Sequence, residues 1–197
     1  MPTHFAVSEF ILTIACLGAM WTLWNRSIRV SAIAMGILGL AAGLGTIRFA
    51  FGLGSDFAGI HRFVAQHGGV LATGLIALSF ARGLVSPERR LHFASGMGLA
   101  VTISVLAGVI NNAFQPLAAL TWAVIIAALA PWQFKSGRAR LLAFVFAAIL
   151  PLNALFVRRS PALSVELSWH LYHVLVAIWV VAIAIMLLSG RERERFP

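Results

Sequence analysis

Residues 166–189, ELSWHLYHVLVAIWVVAIAIMLLS, decide the fold. One glutamate and two histidines lie near the start of this stretch, and residues 174–188 are then apolar without interruption. A helix needs about 20 predominantly apolar residues to cross the ~30 Å hydrocarbon core of a bilayer. The stretch is therefore predicted to be a transmembrane helix that carries polar groups at one end.

Six further stretches have the same character, and together they predict an all-α, polytopic bundle of seven transmembrane helices that forms one domain over residues 1–197. The composition agrees, because 60% of the residues are hydrophobic, 11% are charged and the mean hydropathy is +0.93. An ordinary soluble domain has about 25% charged residues, and a soluble bundle shows a polar face at helical period. The predicted helices are 6–24, 30–50, 61–82, 93–114, 117–133, 140–157 and 166–189.

The basic residues predict the orientation of this bundle. Eleven Lys and Arg residues follow the first, third, fifth and seventh helices, whereas four lie on the opposite side. Because short cytoplasmic loops carry the excess of Lys and Arg, we expect the N-terminus outside and the C-terminus in the cytoplasm, in a plasma or inner membrane. The net charge of +9 is then a topology signal, and nucleic-acid binding is not expected.

Polar residues collect at the outer ends of the predicted helices, where Glu166, His170 and His173 form the most specific pattern. Offsets of four and three residues place these side chains on one face of a helix. Imidazoles suit zinc, and a catalytic zinc site commonly has three protein ligands. We therefore expect zinc on His170 and His173, with His67 of the third helix as the third ligand and His61 at the rim.

Two other roles for these histidines remain open. Buried histidines in transmembrane helices also hydrogen-bond to neighbouring helices without binding a metal. Haem ligation is a further alternative, in which His67 faces either His170 or His173 across the bundle.

Two motifs resemble the seven-helix membrane hydrolase superfamily that includes alkaline ceramidases, lysoplasmalogenases and adiponectin receptors. Residues 43–49, GLGTIRF, are similar to its Gly-x-Gly-Ser-x-x-Phe stretch on helix two, and residues 169–171, WHL, are similar to its Trp-His on helix seven. The resemblance implies a seven-helix bundle with a histidine zinc site. The chain departs from it at Ala50 and at Glu166, which stand where the superfamily has histidines, and Thr46 replaces its Ser.

These observations predict a zinc-dependent hydrolase that acts from the outer side on a lipid amide or ester bond. Glu166 or Asp56 would accept the proton of a metal-activated water, and Thr46 or Arg48 would stabilise the developing oxyanion. The alternative is a non-enzymatic membrane subunit, either a haem-binding electron carrier or a structural partner in a larger complex. The expected partners are membrane lipids, with other membrane proteins or a second copy of the chain as further candidates.

Overall fold

All regular structure is helical in the computed structural model, which describes residues 3–158 and 160–195. These residues form seven α-helices, each predicted from the sequence. They are α1 (Phe5–Asn25), α2 (Arg29–Ala50), α3 (Ser55–Arg82), α4 (Arg90–Ile110), α5 (Phe114–Leu129), α6 (Gly137–Leu152) and α7 (Val165–Arg195).

Each helix, with the short turns attached to it, is long and apolar enough to cross a membrane. The helices α5 and α6 have only 16 residues each. A 3₁₀ turn, Ala130–Gln133, extends α5, and a π-helical turn, Asn153–Val157, extends α6, so that the apolar segments reach 20 and 21 residues. Pro131 and Pro151 lie at or near these changes of helix type, because proline removes a backbone donor and disturbs the preceding turn.

The start of α3 differs from the sequence prediction. The apolar window begins at residue 61, but the helix begins at Ser55, after a turn in which Gly52 has a φ of +62°. The first turn contains Asp56, whose negative charge favours the N-terminus of a helix. The predicted helix therefore starts six residues too late, and His61 lies in the second turn of α3.

Six helices pack in a ring in the order α1, α2, α3, α5, α6 and α7, with α7 beside α1, and the core lies between them. Trp179 of α7 is fully buried and donates its indole N–H to the carbonyl of Ala147 on α6, at 3.2 Å. The helix α4 lies outside the ring against α3 and α5, and Val101 and Gly108 are its only buried residues.

Aromatic contacts bring the start of α1, the end of α2 and the starts of α3 and α7 together. Phe5 packs on Phe49 and Trp169, with ring centroids 5.7 and 5.1 Å away, and Phe49 also contacts His61. We call this the upper end of the bundle. At the opposite, lower end Gln133 donates to the carbonyl of Phe80, at 3.0 Å.

The contact between α3 and α4 depends on Gly74. A Cβ atom at this position would lie 2.5 Å from one methyl carbon of Val101 and 2.9 Å from the other, so that rotation of the valine gives no relief. We expect Gly74→Ala to lower the free energy of unfolding by about 1–3 kcal/mol, the usual cost of overpacking. Denaturation in detergent micelles measures this change.

The matched control is Gly98→Ala on α4, where a Cβ atom would meet nothing within 4 Å. Both substitutions gain the same helix propensity relative to glycine, so their difference reports the clash. Equal stabilities of the two variants would contradict this account of the α3–α4 contact.

Candidate functional site

Glu9 is a carboxylate buried in an apolar bundle. It lies in the second turn of α1, and the residue is only 3% exposed. A charged group at such a position is costly unless it has a partner. The residues that surround Glu9 therefore define the strongest candidate for a functional site.

His173 of α7 is the nearest of these residues. Its Nε2 lies 3.3 Å from Oε1 of Glu9, and its Nδ1 donates to the carbonyl of Trp169, at 2.7 Å. Because Nδ1 carries the hydrogen, a neutral His173 presents the lone pair of Nε2 to the carboxylate. Two lone pairs at this distance repel, so the pair requires a proton or a metal cation between them.

His61 of α3 approaches the same carboxylate oxygen from another helix. Its Nε2 lies 4.0 Å from Oε1 of Glu9, its Nδ1 is buried without a hydrogen-bond partner among the described residues, and the residue is 7% exposed. The sequence-based expectation that His61 lies at the rim is therefore wrong. That expectation assumed that His67 faces the interior of the bundle. The rotation of α3 about its own axis instead turns His61 towards Glu9.

Aromatic rings enclose this centre, which we call the Glu9 centre (Glu9, His61 and His173). Trp169 packs on His173 and Phe49, with centroids 4.5 and 5.2 Å away. Within the part of the chain that the structure describes, the buried indole N–H of Trp169 has no hydrogen-bond partner. A centre walled in this way is poor in water, and charges interact more strongly where the local dielectric is low.

The helix α2 supports the centre through a close backbone approach. A Cβ atom at Gly45 would lie 2.6 Å from both Cδ and Oε1 of Glu9, so only glycine leaves room for the carboxylate. One turn further down α1, Thr13 donates to the carbonyl of Glu9, at 2.8 Å, and lies 3.4 Å from Thr46 across the helix contact. Thr46 also donates to its own helix, at the carbonyl of Ala42.

The predicted pattern on α7 splits, because each of its three residues contacts a different partner. The three are Glu166, His170 and His173. Glu166 is exposed and lies 3.9 Å from Nε2 of His4. Nδ1 of His170 lies 3.0 Å from the hydroxyl of Ser8, whereas His173 faces Glu9. The structure therefore separates the predicted pattern into an exposed rim and a buried centre.

His67 belongs to another cluster. Both of its ring nitrogens lie within 3.2 Å of the side-chain nitrogen of Gln115 on α5, which is buried and also donates to the carbonyl of Gly108 on α4. His67 and His170 thus make the interhelical contacts that the sequence left open as an alternative. The structure does not bring His67 together with His170 and His173, as a shared zinc or haem would require.

The other predicted catalytic residues lie at different depths. Asp56 is exposed and accepts from the hydroxyl of Ser55, at 3.3 Å. Arg48 is half-buried, with its guanidinium 5.0 Å from the centroid of the Phe49 ring, and it is close enough to His61 for their charges to interact. Of the predicted catalytic set, Arg48 and Thr46 lie beside the Glu9 centre.

No three His, Cys, Asp or Glu side chains form a ready-made metal site within residues 3–158 and 160–195. The donors of the Glu9 centre nevertheless match the chemistry of zinc, which takes a carboxylate oxygen and two imidazoles in some catalytic sites. Two ligands of one tetrahedral zinc are about 3.3 Å apart, which is the separation of Glu9 and His173. A metal-bound histidine also commonly donates its other N–H to a carbonyl, as His173 does to Trp169.

Comparisons with protein-family models, with curated proteins and with solved structures find no match to this chain. The likeness of residues 43–49 and 169–171 to the membrane hydrolases therefore stays a prediction. The side chains at the upper end are the features of the molecule that indicate a function.

The contact between Gly45 and Glu9 is testable by a double-mutant cycle. We expect Gly45→Ala to destabilise the folded protein by about 1–3 kcal/mol, because it displaces the buried carboxylate from His173. In a Glu9→Ala background the same substitution should cost close to nothing, since the clashing atoms are gone. Thermal unfolding of the four proteins in detergent measures the coupling.

Gly43→Ala is the control for this cycle, because its Cβ atom would make only an ordinary contact, 3.8 Å from Thr13. If Gly45→Ala lowers the free energy of unfolding by the same amount in the Glu9→Ala background as in wild type, a clash with the carboxylate is not the reason that position 45 requires glycine.

Proposed function

We propose that the chain is a multi-pass membrane protein whose upper end faces the outside. The basic residues support this orientation, since those that follow α1, α3 and α5 lie at the lower end, and short cytoplasmic loops are rich in Lys and Arg. In this orientation the Glu9 centre lies about one to two helical turns below the outer surface.

We infer that the Glu9 centre hydrolyses an amide or ester bond of a lipid with the help of zinc. The observation that carries the proposal is the contact of a buried carboxylate oxygen with the lone pair of an oriented imidazole, at 3.3 Å. That arrangement requires a proton or a metal cation between the two atoms. A buried, polarised group of this kind in a membrane protein is a functional site by default.

Glu9, His61 and His173 would hold the zinc, which when bound acts as a Lewis acid and acidifies water towards a pKa of ~7. Trp169 keeps His173 in the tautomer that exposes Nε2, and the surrounding aromatic rings exclude bulk water. His170 stands one turn above His173 on α7 and is half-buried, so its imidazole is placed to take up a proton and pass it to solvent.

Arg48 supplies the positive charge beside the centre. Its guanidinium lies against the ring of Phe49 and acts electrostatically on His61, so it is suited to stabilise a developing oxyanion. In this scheme His170 takes the role of proton acceptor that the sequence assigned to Glu166 or Asp56, whose side chains are exposed.

A non-enzymatic membrane subunit is the second candidate, and one observation favours it. The helix α4 has only two buried residues, Val101 and Gly108, and therefore offers a long apolar face to lipid or to a neighbouring protein. Copurification of a stable partner, with neither metal nor hydrolysis in wild type, would support this alternative.

The hydrolase proposal is tested by metal analysis and a substrate screen on the same preparations. The protein is purified in mild detergent without a histidine tag, its zinc content is measured by mass spectrometry, and fluorogenic lipid amides and esters are offered. We expect Glu9→Gln, His61→Ala and His173→Ala each to lose most of the zinc and to slow hydrolysis by about 100-fold or more.

His67→Ala is the matched control, because His67 is a half-buried histidine of the same upper end that faces Gln115 instead of Glu9. It should keep both the zinc and the activity. Wild-type protein without zinc, or loss of zinc in His67→Ala with retention in His61→Ala, would overturn the proposed centre.

A further inference from the structure

An open apolar groove with a volume of about 600 Å³ runs along α7. Ile11 and Ala15 of α1 form one wall, Ala143 and Phe146 of α6 contribute to the other, and α7 forms the floor. The groove faces outward from the bundle, on a side of α7 different from the one that carries His173.

The length and the lining of the groove suit a hydrocarbon chain. It extends from Val174 to Ser189, which corresponds to about 22 Å at the rise of an α-helix. Apart from Ser189 at its lower end, the side chains that line it are apolar. The groove therefore offers a continuous apolar surface to an acyl chain that runs parallel to α7.

A polar cluster lies at the upper end of the same groove. On α7, the positions of His170, Val174 and Ala177 follow one another at offsets of four and three residues and so share a face. One face of α1 likewise carries Ser8, Ile11 and Ala15, at offsets of three and four residues. His170 and Ser8 meet across the two helices, 3.0 Å apart, directly above the apolar walls.

The cluster has the chemistry of a headgroup site. His4 lies beside His170, with ring centroids 5.3 Å apart, and Glu166 lies 3.9 Å from His4. Imidazole N–H groups donate to phosphate or carbonyl oxygens, and the Glu166 carboxylate attracts a cationic amine. The buried Ser8 hydroxyl donates to the carbonyl of Phe5 and holds His170 in place. A zwitterionic head satisfies both kinds of group.

We propose that the groove binds one single-chain zwitterionic lipid, with its acyl chain along α7 and its head at His4, Ser8, Glu166 and His170. This site is distinct from the Glu9 centre, because His173 lies about 60° round α7 from His170 and faces the interior. The binding site stands whether or not the protein hydrolyses lipid. It places a bound headgroup one helical turn from His173.

Photolabelling of the full chain tests the proposal. The purified protein in mild detergent is incubated with a lysophosphatidylcholine that carries a diazirine halfway along its acyl chain, irradiated, digested and mapped by mass spectrometry. We expect adducts on the segments of α6 and α7 that line the groove. An excess of unlabelled lysophosphatidylcholine should reduce this labelling by at least about five-fold, as expected for a saturable site.

Two variants fill the groove. Ala15→Phe and Ala182→Phe each place a ring where a half-buried alanine now lines it, and each should reduce the labelling by at least about five-fold. Ala100→Phe on the exposed face of α4 is the control and should leave the labelling unchanged. Thermal unfolding and size-exclusion chromatography establish that each variant is folded.

The headgroup part is tested separately with His170→Ala and Ser8→Ala. These variants should weaken binding of the lysophosphatidylcholine probe but not of a diazirine-bearing alkane without a head.

Adducts spread evenly over the exposed faces of α4 and α5, or undiminished labelling in folded Ala15→Phe and Ala182→Phe, would overturn the groove site. Crosslinks from the groove to a second protein chain would also overturn it, because they would show that protein rather than lipid covers the groove. Zinc content in Ala182→Phe should equal that of wild type, so failure of this proposal and failure of the zinc hydrolase are distinguishable.

Discussion

The burial of the Glu9 carboxylate among apolar helices is the constraint on which the upper end of this structure depends. A lone charge at such a depth costs several kcal/mol, and the fold brings three different helices to it. His173 of α7 lies 3.3 Å away, His61 of α3 lies 4.0 Å away, and α2 approaches closely enough that only Gly45 fits. The ends of α1, α2, α3 and α7 therefore converge on one side chain.

Two faces of α7 contact different surroundings, one in the interior of the bundle and one along the apolar groove. Its inner face carries Trp169, His173 and the fully buried Trp179, whereas its neighbouring face carries His170 above an apolar groove. Because these faces are separated by a fraction of a turn, a lipid held in the groove would lie next to the Glu9 centre. The two proposals thus describe separate sites whose proximity has a simple origin in helical geometry.

Much of the fold follows from the sequence, because the hydrophobic length needed to cross a bilayer is a property of each segment by itself. All seven helices were expected, and the main error in the windows is the start of α3. There, the helix begins at Ser55 and continues through polar residues to His61 before its apolar part. A hydropathy window detects only the apolar part of a helix, so the prediction missed these first turns. Glu9 was visible as an acidic residue within the first apolar window, but it belonged to no spacing motif, so it was not predicted as a site residue.

The sequence by itself determined the seven apolar helices, their order and the concentration of polar groups at one end. Only the tertiary structure decided which of those groups meet. His61 and His67 lie on different sides of α3, and nothing in the sequence states which side faces the interior, because the helices are apolar all round and have no polar face to fix their rotation. Close packing of α3 against its neighbours, with Gly68 on Ile37 of α2 and Gly74 on Val101 of α4, accompanies the rotation that directs His61 to the carboxylate and His67 to Gln115.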